Sequence, residues 1–160
     1  MDRLILDIKP GSDCPEHVFG TAKLRDLRVR PLFRDSAVSE NEYINSIIDE
    51  MTQDSILVSC NIFNPGKSDA EINIGLPDGP NRPDEKLLVK IVIYLTSKGY
   101  DVRINEVEKG VDFPPTSFSS PAICIGVSCK LVEDETGNFD VMKSFGIQDT
   151  MSRVYELLLS

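Results

Sequence analysis

Hydrophobic and polar residues alternate along this chain in two periods, one helical and one extended. Residues 84–98 carry apolar side chains three and four positions apart, which is the spacing of one face of a helix. Gly99 follows, and glycine supplies the left-handed conformation at which many helices end. Residues 102–104 then alternate apolar and polar side chains, as a strand does. This unit predicts a helix packed against a sheet.

Two further segments show the helical period. Ser39 and Glu42 form a capping box, in which each side chain can bond the backbone N–H of the other residue, and a helix is predicted over residues 40–53. A shorter apolar stripe predicts a last helix over residues 150–159.

Residues in the middle of an apolar stripe are expected to lie between helices and sheet. Three such residues are Ile47, Ile91 and Ile125.

Alternation with a period of two predicts the strands. They are expected at residues 3–8, 27–30, 56–63, 72–76 and 123–131, with a short one near residues 139–141. Because Asn64-Pro65-Gly66 is typical of a turn, the strands at 56–63 and 72–76 are expected to form a hairpin.

Together the elements predict an α+β fold, a two-layer sandwich of three helices on a mainly antiparallel or mixed sheet of about five or six strands. A single globular domain over residues 1–160 is expected, since no flexible linker divides the chain.

Composition narrows the class of protein. The 160 residues carry a net charge of −9, which disfavours nonspecific attraction to nucleic acid or to anionic lipid. No run approaches the ~20 apolar residues that span a bilayer, and the N-terminal residues lack the pattern of a secretory signal. A cytoplasmic or other intracellular location, with no membrane partner, is therefore expected.

The charge is unevenly distributed. Residues 20–35 hold five basic and two acidic residues, whereas the rest of the chain holds 12 basic and 24 acidic ones. This segment is interpreted as a surface that meets an acidic protein partner or a second copy of the chain. Nucleic-acid binding through residues 23–34 is the disfavoured alternative, since Phe33 is the only aromatic residue there. The predicted partner-binding arginines are Arg25, Arg28, Arg30 and Arg34.

Nucleophile and metal motifs are weak in this sequence. The cysteines, Cys14, Cys60, Cys124 and Cys129, have no metal-binding spacing and are interpreted as buried thiols, with a Cys60–Cys124 disulfide as the alternative. The one histidine, His17, is interpreted as a surface residue, and a single histidine excludes a multi-histidine zinc site. No catalytic residue, metal ligand or cofactor is predicted.

A long loop at residues 108–121 is the remaining candidate. Glu106, Glu108 and Asp112 cluster before and within it, and such carboxylates could hold a cation or act in acid–base chemistry. Phe113 and Phe118 lie among prolines and serines, where a plain connection needs no aromatic residue. These two phenylalanines are therefore predicted to contact a partner.

These features favour a non-enzymatic structural or accessory subunit that acts by protein–protein interaction or self-association within a larger assembly. No small-molecule ligand is predicted. Two alternatives stay open: a carboxylate- or metal-dependent hydrolase or transferase that uses the acids near the long loop, and nucleic-acid recognition or mimicry. The preferred interpretation depends mainly on missing motifs, and sites built from carboxylates or backbone groups leave few motifs.

Overall fold

The computed structural model describes residues 3–8, 16–21, 24–34, 37–64, 70–77, 82–104 and 120–160, without the side chains of residues 16 and 17. Within these residues the chain forms six strands and three α-helices. The strands are β1 (Arg3–Ile8), β2 (Val29–Phe33), β3 (Ser55–Phe63), β4 (Ile72–Gly75), β5 (Val102–Ile104) and β6 (Ala122–Ser128). The helices are α1 (Glu40–Glu50), α2 (Glu85–Ser97) and α3 (Val141–Leu159).

The strands form one mixed sheet in the order β2-β1-β3-β6-β4-β5. Strands β2, β1, β3 and β6 run parallel to one another, β4 is antiparallel to β6, and β5 is parallel to β4. The predicted class is confirmed, because three helices pack on a mixed sheet of six strands. The predicted hairpin is wrong, because β3 lies between β1 and β6 while β4 lies between β6 and β5. A period of two identifies a strand but does not identify its neighbour.

The helices begin where side chains can accept the first free N–H groups. Ser39 accepts from the N–H of Glu42 at 3.2 Å and caps α1, as predicted. Asp84 caps α2 in the same way, and Gly99 takes a positive φ of 90° after it. Asp140 caps α3, which therefore begins at Val141 rather than at residue 150. The short strand predicted near residues 139–141 is wrong.

The two faces of the sheet carry different side chains. On the core face, apolar residues of β1, β3, β4 and β6 pack against α2 and α3 in one continuous cluster. On the opposite face, which we call the α1 face, Ile5, Leu57 and Ala122 pack against Tyr43 and Ile47 of α1. The three residues predicted to lie in the core, Ile47, Ile91 and Ile125, are all buried.

Among the helices that the structure describes, none combines the length and the hydropathy that crossing a bilayer would require.

Candidate functional site

Buried polar side chains gather on the α1 face, toward the carboxyl ends of the parallel strands. Asp7 lies near the end of β1, Ser59 and Asn61 lie in the middle and the second half of β3, and Asn73 lies on β4, which is separated from β3 by β6. In open α/β sheets the crevice at the carboxyl ends of the strands is the common ligand site. We call this part of the α1 face the carboxyl edge and treat it as the candidate functional site.

Asp7 organises one half of the carboxyl edge. Its side chain is 2% exposed and accepts hydrogen bonds from the Ser59 hydroxyl at 3.0 Å and the Tyr43 hydroxyl at 2.7 Å. The guanidinium of Arg34 donates to the same carboxylate from Nε at 3.2 Å and from Nη2 at 3.3 Å. A buried carboxylate requires such partners, because removing it from water is costly. The network joins β1, β3, α1 and the end of β2.

The protonation of Tyr43 fixes the direction of these hydrogen bonds. Burial raises the pKa of Tyr43, and the Asp7 carboxylate raises it further by disfavouring a second negative charge. The Arg34 guanidinium carbon lies 5.0 Å from the centre of the Tyr43 ring, a distance at which a cation is attracted to the ring face. Tyr43 is therefore a hydrogen-bond donor at neutral pH, and Asp7 is held as an acceptor.

A row of carboxamides forms the other half of the carboxyl edge. Asn61 of β3 is in register with Gly126 of β6, which is in register with Asn73 of β4. The thiol of Cys124 lies 3.9 Å from Oδ1 of Asn61 and can donate to it. Asn73 is 3% exposed, yet neither its Nδ2 nor its Oδ1 finds a hydrogen-bond partner among the described residues. Buried polar groups are usually paired, so Asn73 is an exception that requires an explanation.

Gly126 occupies the position between the two asparagines, where a larger side chain would not fit. A Cβ placed on Gly126 would lie 3.1 Å from Cδ1 of Phe63 and 3.3 Å from Oδ1 of Asn61. Both distances are shorter than ordinary van der Waals contact, so any larger residue would displace a neighbour. The glycine therefore leaves room for the Phe63 ring between the two asparagines.

Two of the described thiols are not activated as nucleophiles. Burial raises the pKa of Cys60, and burial together with nearby Glu133 raises the pKa of Cys129. A thiol with a raised pKa stays protonated at neutral pH and attacks poorly. Cys60, Cys124 and Cys129 are not in disulfides, and the alternative Cys60–Cys124 disulfide is wrong because the two residues lie on opposite faces of the sheet.

The residues that the structure describes provide no obvious metal site. Within them, no three side chains of His, Cys, Asp or Glu converge closely enough to hold an ion. Asp7 has three protein partners, and the other polar groups of the carboxyl edge are amides, hydroxyls and a thiol. Glu106, Glu108, Asp112, Cys14 and the side chain of His17 lie outside the described residues.

The predicted partner-binding arginines do not converge on the carboxyl edge as a group. Arg28 pairs with Asp26 at 2.7 Å and Arg30 lies 3.7 Å from Glu50, while Arg34 joins the Asp7 network. Arg25 lines a cavity of about 330 Å³ beside the end of α3. Phe113 and Phe118 lie outside the described residues. Partner binding by these six residues stays a prediction.

Sequence reasoning missed the residues that form the carboxyl edge. Ser59, Asn61 and Asn73 occupy the positions that alternate with the apolar core residues of β3 and β4, which are the positions expected to face solvent. The available signal was a run of small and amide side chains there, instead of the charged residues that usually cover exposed strands. Recognising the site also required the strand order, which periodicity does not provide.

The comparisons with known proteins concern the fold. No protein-family model and no curated protein matches the sequence. The solved N-acetylmuramoyl-L-alanine amidase from Clostridium difficile 630 is similar, with a TM-score of 0.62 and 11% identity over 99% of this chain and 98% of that one. The corresponding amidase of Nostoc punctiforme gives a TM-score of 0.55 and 13% identity over 98% of each chain.

An N-formylglutamate amidohydrolase from Ralstonia eutropha JMP134 is also similar, with a TM-score of 0.54 and 15% identity over 74% of this chain. The match spans only 48% of that protein, about half of its length. At these identities the likeness concerns the fold.

These comparisons correct the function expected from the sequence. The expectation of a non-enzymatic structural or accessory subunit is contradicted, because the chain shares its fold with two solved amidases over nearly their whole length. The hydrolase alternative agrees better with the comparisons. The expectation failed because it depended on missing motifs, and the buried polar residues of the carboxyl edge form no sequence motif.

Proposed function

We propose that this chain is a hydrolase that acts on the amide bond of an N-acyl amino acid, and that the carboxyl edge binds this ligand. The observation that carries the proposal combines the position of the buried polar residues with the fold in which they lie. The buried polar residues lie where open α/β sheets bind ligands, in a fold shared with amidases along almost the whole chain. The proposal replaces the expectation that no small molecule binds.

The ligand class follows from what the names of the similar proteins have in common. N-acetylmuramoyl-L-alanine and N-formylglutamate are both amino acids whose nitrogen carries an acyl group. Hydrolysis of such an amide adds water across the C–N bond and gives a carboxylic acid and a free amino group. A site for this ligand has to hold a planar amide and to provide donors to its carbonyl oxygen.

The described residues support binding and orientation more than bond cleavage. The carboxamides of Asn61 and Asn73 offer both donors and acceptors to an amide. Asp7 is held by Arg34, Tyr43 and Ser59, so we assign it to positioning the strand ends rather than to proton transfer. The described residues do not form a metal-binding set.

A second candidate function is recognition of the same ligand without cleavage. It is favoured by a specific observation: within the described part of the chain, the carboxyl edge combines amide donors with hydroxyls and with a carboxylate that is already paired. Such a site would bind an N-acyl amino acid and release it intact.

The experiment that separates the two uses purified full-length protein. It is incubated with N-formyl-L-glutamate and with N-acetylmuramoyl-L-alanine, each with and without added Zn²⁺ or Mg²⁺. Mass spectrometry follows the free amino acid, and isothermal titration follows binding. The variant Asn61→Leu is compared with Asn45→Leu, which makes the same change on the exposed surface of α1.

Release of free amino acid that Asn61→Leu reduces at least tenfold and Asn45→Leu leaves unchanged supports the hydrolase. Binding of the intact compound without release supports the second candidate and overturns hydrolysis. Neither binding nor release, with or without metal, overturns both.

An intracellular location remains part of the proposal. It is supported by the reduced state of Cys60, Cys124 and Cys129, which form no disulfide, because thiols persist in reducing compartments.

A further inference from the structure

Exposed apolar side chains lie together at the β5 end of the sheet. Val89 and Ile93 of α2 are 49% and 64% exposed, and Ile104 of β5 is 47% exposed. These three residues, which we call the edge patch, line one groove together with the more buried Leu76 and Leu88. Apolar patches on a protein surface commonly mark a contact with another protein.

The edge patch extends the core face beyond the part that the helices cover. Ile104 is in register with Ile74 of β4, which is fully buried. Because residues in register on neighbouring strands share a face, Ile104 belongs to the core face as well. It stays exposed since β5 is the last strand of the sheet among the described residues. The outer side of an edge strand is a surface to which another chain can add.

The size of the groove favours a protein over a small molecule. Its volume is about 220 Å³. Pockets that hold small-molecule ligands usually measure ~300–1,000 Å³, so this groove lies below their range. A single apolar side chain from a protein surface needs less room than such a ligand and can fill it.

The charges at the rim of the groove indicate which protein fits. Arg82 and Glu85 line the groove, both are exposed, and neither forms an ion pair with a described residue. Their charges cancel, whereas the chain as a whole carries −9. Two copies of so acidic a chain repel each other except where the meeting surfaces carry no net negative charge. A strongly acidic or basic partner would set one of the two residues against a like charge, but a second copy brings one charge of each sign.

A two-fold arrangement uses all of these features. Two-fold dimers are the commonest oligomers, and in them each copy contributes the same surface. With the axis perpendicular to the sheet, β5 runs antiparallel to β5 of the second copy, and both copies of α2 lie on one face of the joined sheet. Val89 and Ile93 are four positions apart and therefore lie on one stripe of α2. Antiparallel helices would bring the two stripes together.

We propose that the edge patch binds a second copy of this chain in a two-fold dimer, which buries Val89, Ile93 and Ile104 and places Arg82 and Glu85 at the rim of the contact. Because the patch is small, the dimer is weak, and the chain is monomeric at the low concentrations of an unfolding experiment. This inference goes beyond the proposed function and does not depend on it.

The test is sedimentation equilibrium of the full chain from about 1 μM to about 1 mM, the range of dissociation constants of weak complexes. Ile93→Glu places a charge in the centre of the edge patch. The control is Ile48→Glu, the same change on α1, where the isoleucine is 44% exposed. A second pair of variants tests the rim. Arg82→Glu makes each rim negative, and the double variant Arg82→Glu/Glu85→Arg makes it neutral again.

We expect wild type to dimerise with a Kd inside this range. Ile93→Glu should weaken the dimer about tenfold or more and leave the melting temperature of the dilute protein unchanged, because Ile93 is exposed in the monomer. Ile48→Glu should dimerise as wild type does. Arg82→Glu should weaken the dimer at low salt and less at high salt, and the double variant should recover the affinity of wild type.

Three results would overturn the inference. If wild type is monomeric over the whole range, the edge patch does not bind a second copy, and another part of the chain or a different protein covers it. If wild type dimerises but Ile93→Glu and Ile48→Glu behave alike, another surface forms the dimer. If Ile93→Glu melts well below wild type, Val89→Glu repeats the test, and a loss of stability in both variants means that the patch packs within a single chain.

Discussion

The two faces of this sheet differ in what holds them together. The core face is apolar along β1, β3, β4 and β6, and α2 and α3 cover it. The α1 face is apolar at the amino ends of its strands, and toward their carboxyl ends it holds a set of buried polar groups beside Leu32 and Phe63. Burial of apolar area stabilises the core face without directed bonds. The α1 face depends instead on each buried polar group having a hydrogen-bond partner.

The α1 face is itself divided by this requirement. Around Asp7, the carboxylate has hydroxyl and guanidinium donors from three directions. Around Asn73, a carboxamide of equal burial has none among the described residues. The first arrangement stabilises the free protein, and the second weakens it unless something binds. A site that costs stability in this way is more informative about function than one that is already satisfied.

The largest expected effect is on the core face. Ile125 lies in the centre of the sheet and is fully buried, so Ile125→Ala should lower the free energy of unfolding by about 2–5 kcal/mol through lost burial and a new cavity. Urea titration followed by circular dichroism measures this change. The matched control is Ile93→Ala on α2, where the isoleucine is 64% exposed and the change should stay within about 0.5 kcal/mol. Equal losses in both variants would contradict the burial of Ile125 in the core face.

Much of the fold, and little of the site, could be predicted from the sequence. α1 and α2 were predicted closely because Ser39 caps one and Gly99 ends the other, and both signals are local. The start of α3 was missed because the cap at Asp140 follows a turn and precedes exposed residues, Val141 and Met142, that do not continue the buried stripe. The carboxyl edge was missed for a different reason. Asp7, Ser59 and Asn73 are distant in sequence and meet only through the strand order, which no local pattern specifies.

A smaller effect is expected where the α1 face is fully paired. Asp7→Asn keeps the shape of the side chain but removes the charge that faces Arg34 and turns one acceptor into a donor. We expect a loss of about 1–3 kcal/mol in unfolding free energy, the range for a buried group that loses its partner. The control is Asp49→Asn on the exposed surface of α1, which should be nearly neutral. If Asp7→Asn were neutral too, the network would not be what joins these strands.

The smallest effect at neutral pH is expected for Tyr43→Phe, which removes one donor to Asp7 and leaves Ser59 and Arg34 in place. The loss should be roughly 0.5–1.5 kcal/mol. The pH dependence is more specific, because the pKa of Tyr43 is raised in the fold by burial and by Asp7. Its contribution is thus complete below the ordinary tyrosine pKa of about 10, and it is lost as pH rises further because the unfolded chain releases the proton first.

Burial also raises the pKa of Tyr155 well above the ordinary value, but wild type and Tyr43→Phe both contain Tyr155, so its contribution is the same in the two proteins. Because only wild type contains Tyr43, it should lose stability more steeply than Tyr43→Phe above pH ~10, by a difference that approaches about 1.4 kcal/mol per pH unit. Denaturant titrations at pH 8, 10 and 11 measure the two slopes. Parallel curves for the two proteins would mean that Tyr43 ionises in the fold as it does in water, and Asp7 would then lack the buried donor that distinguishes its half of the α1 face from that of Asn73.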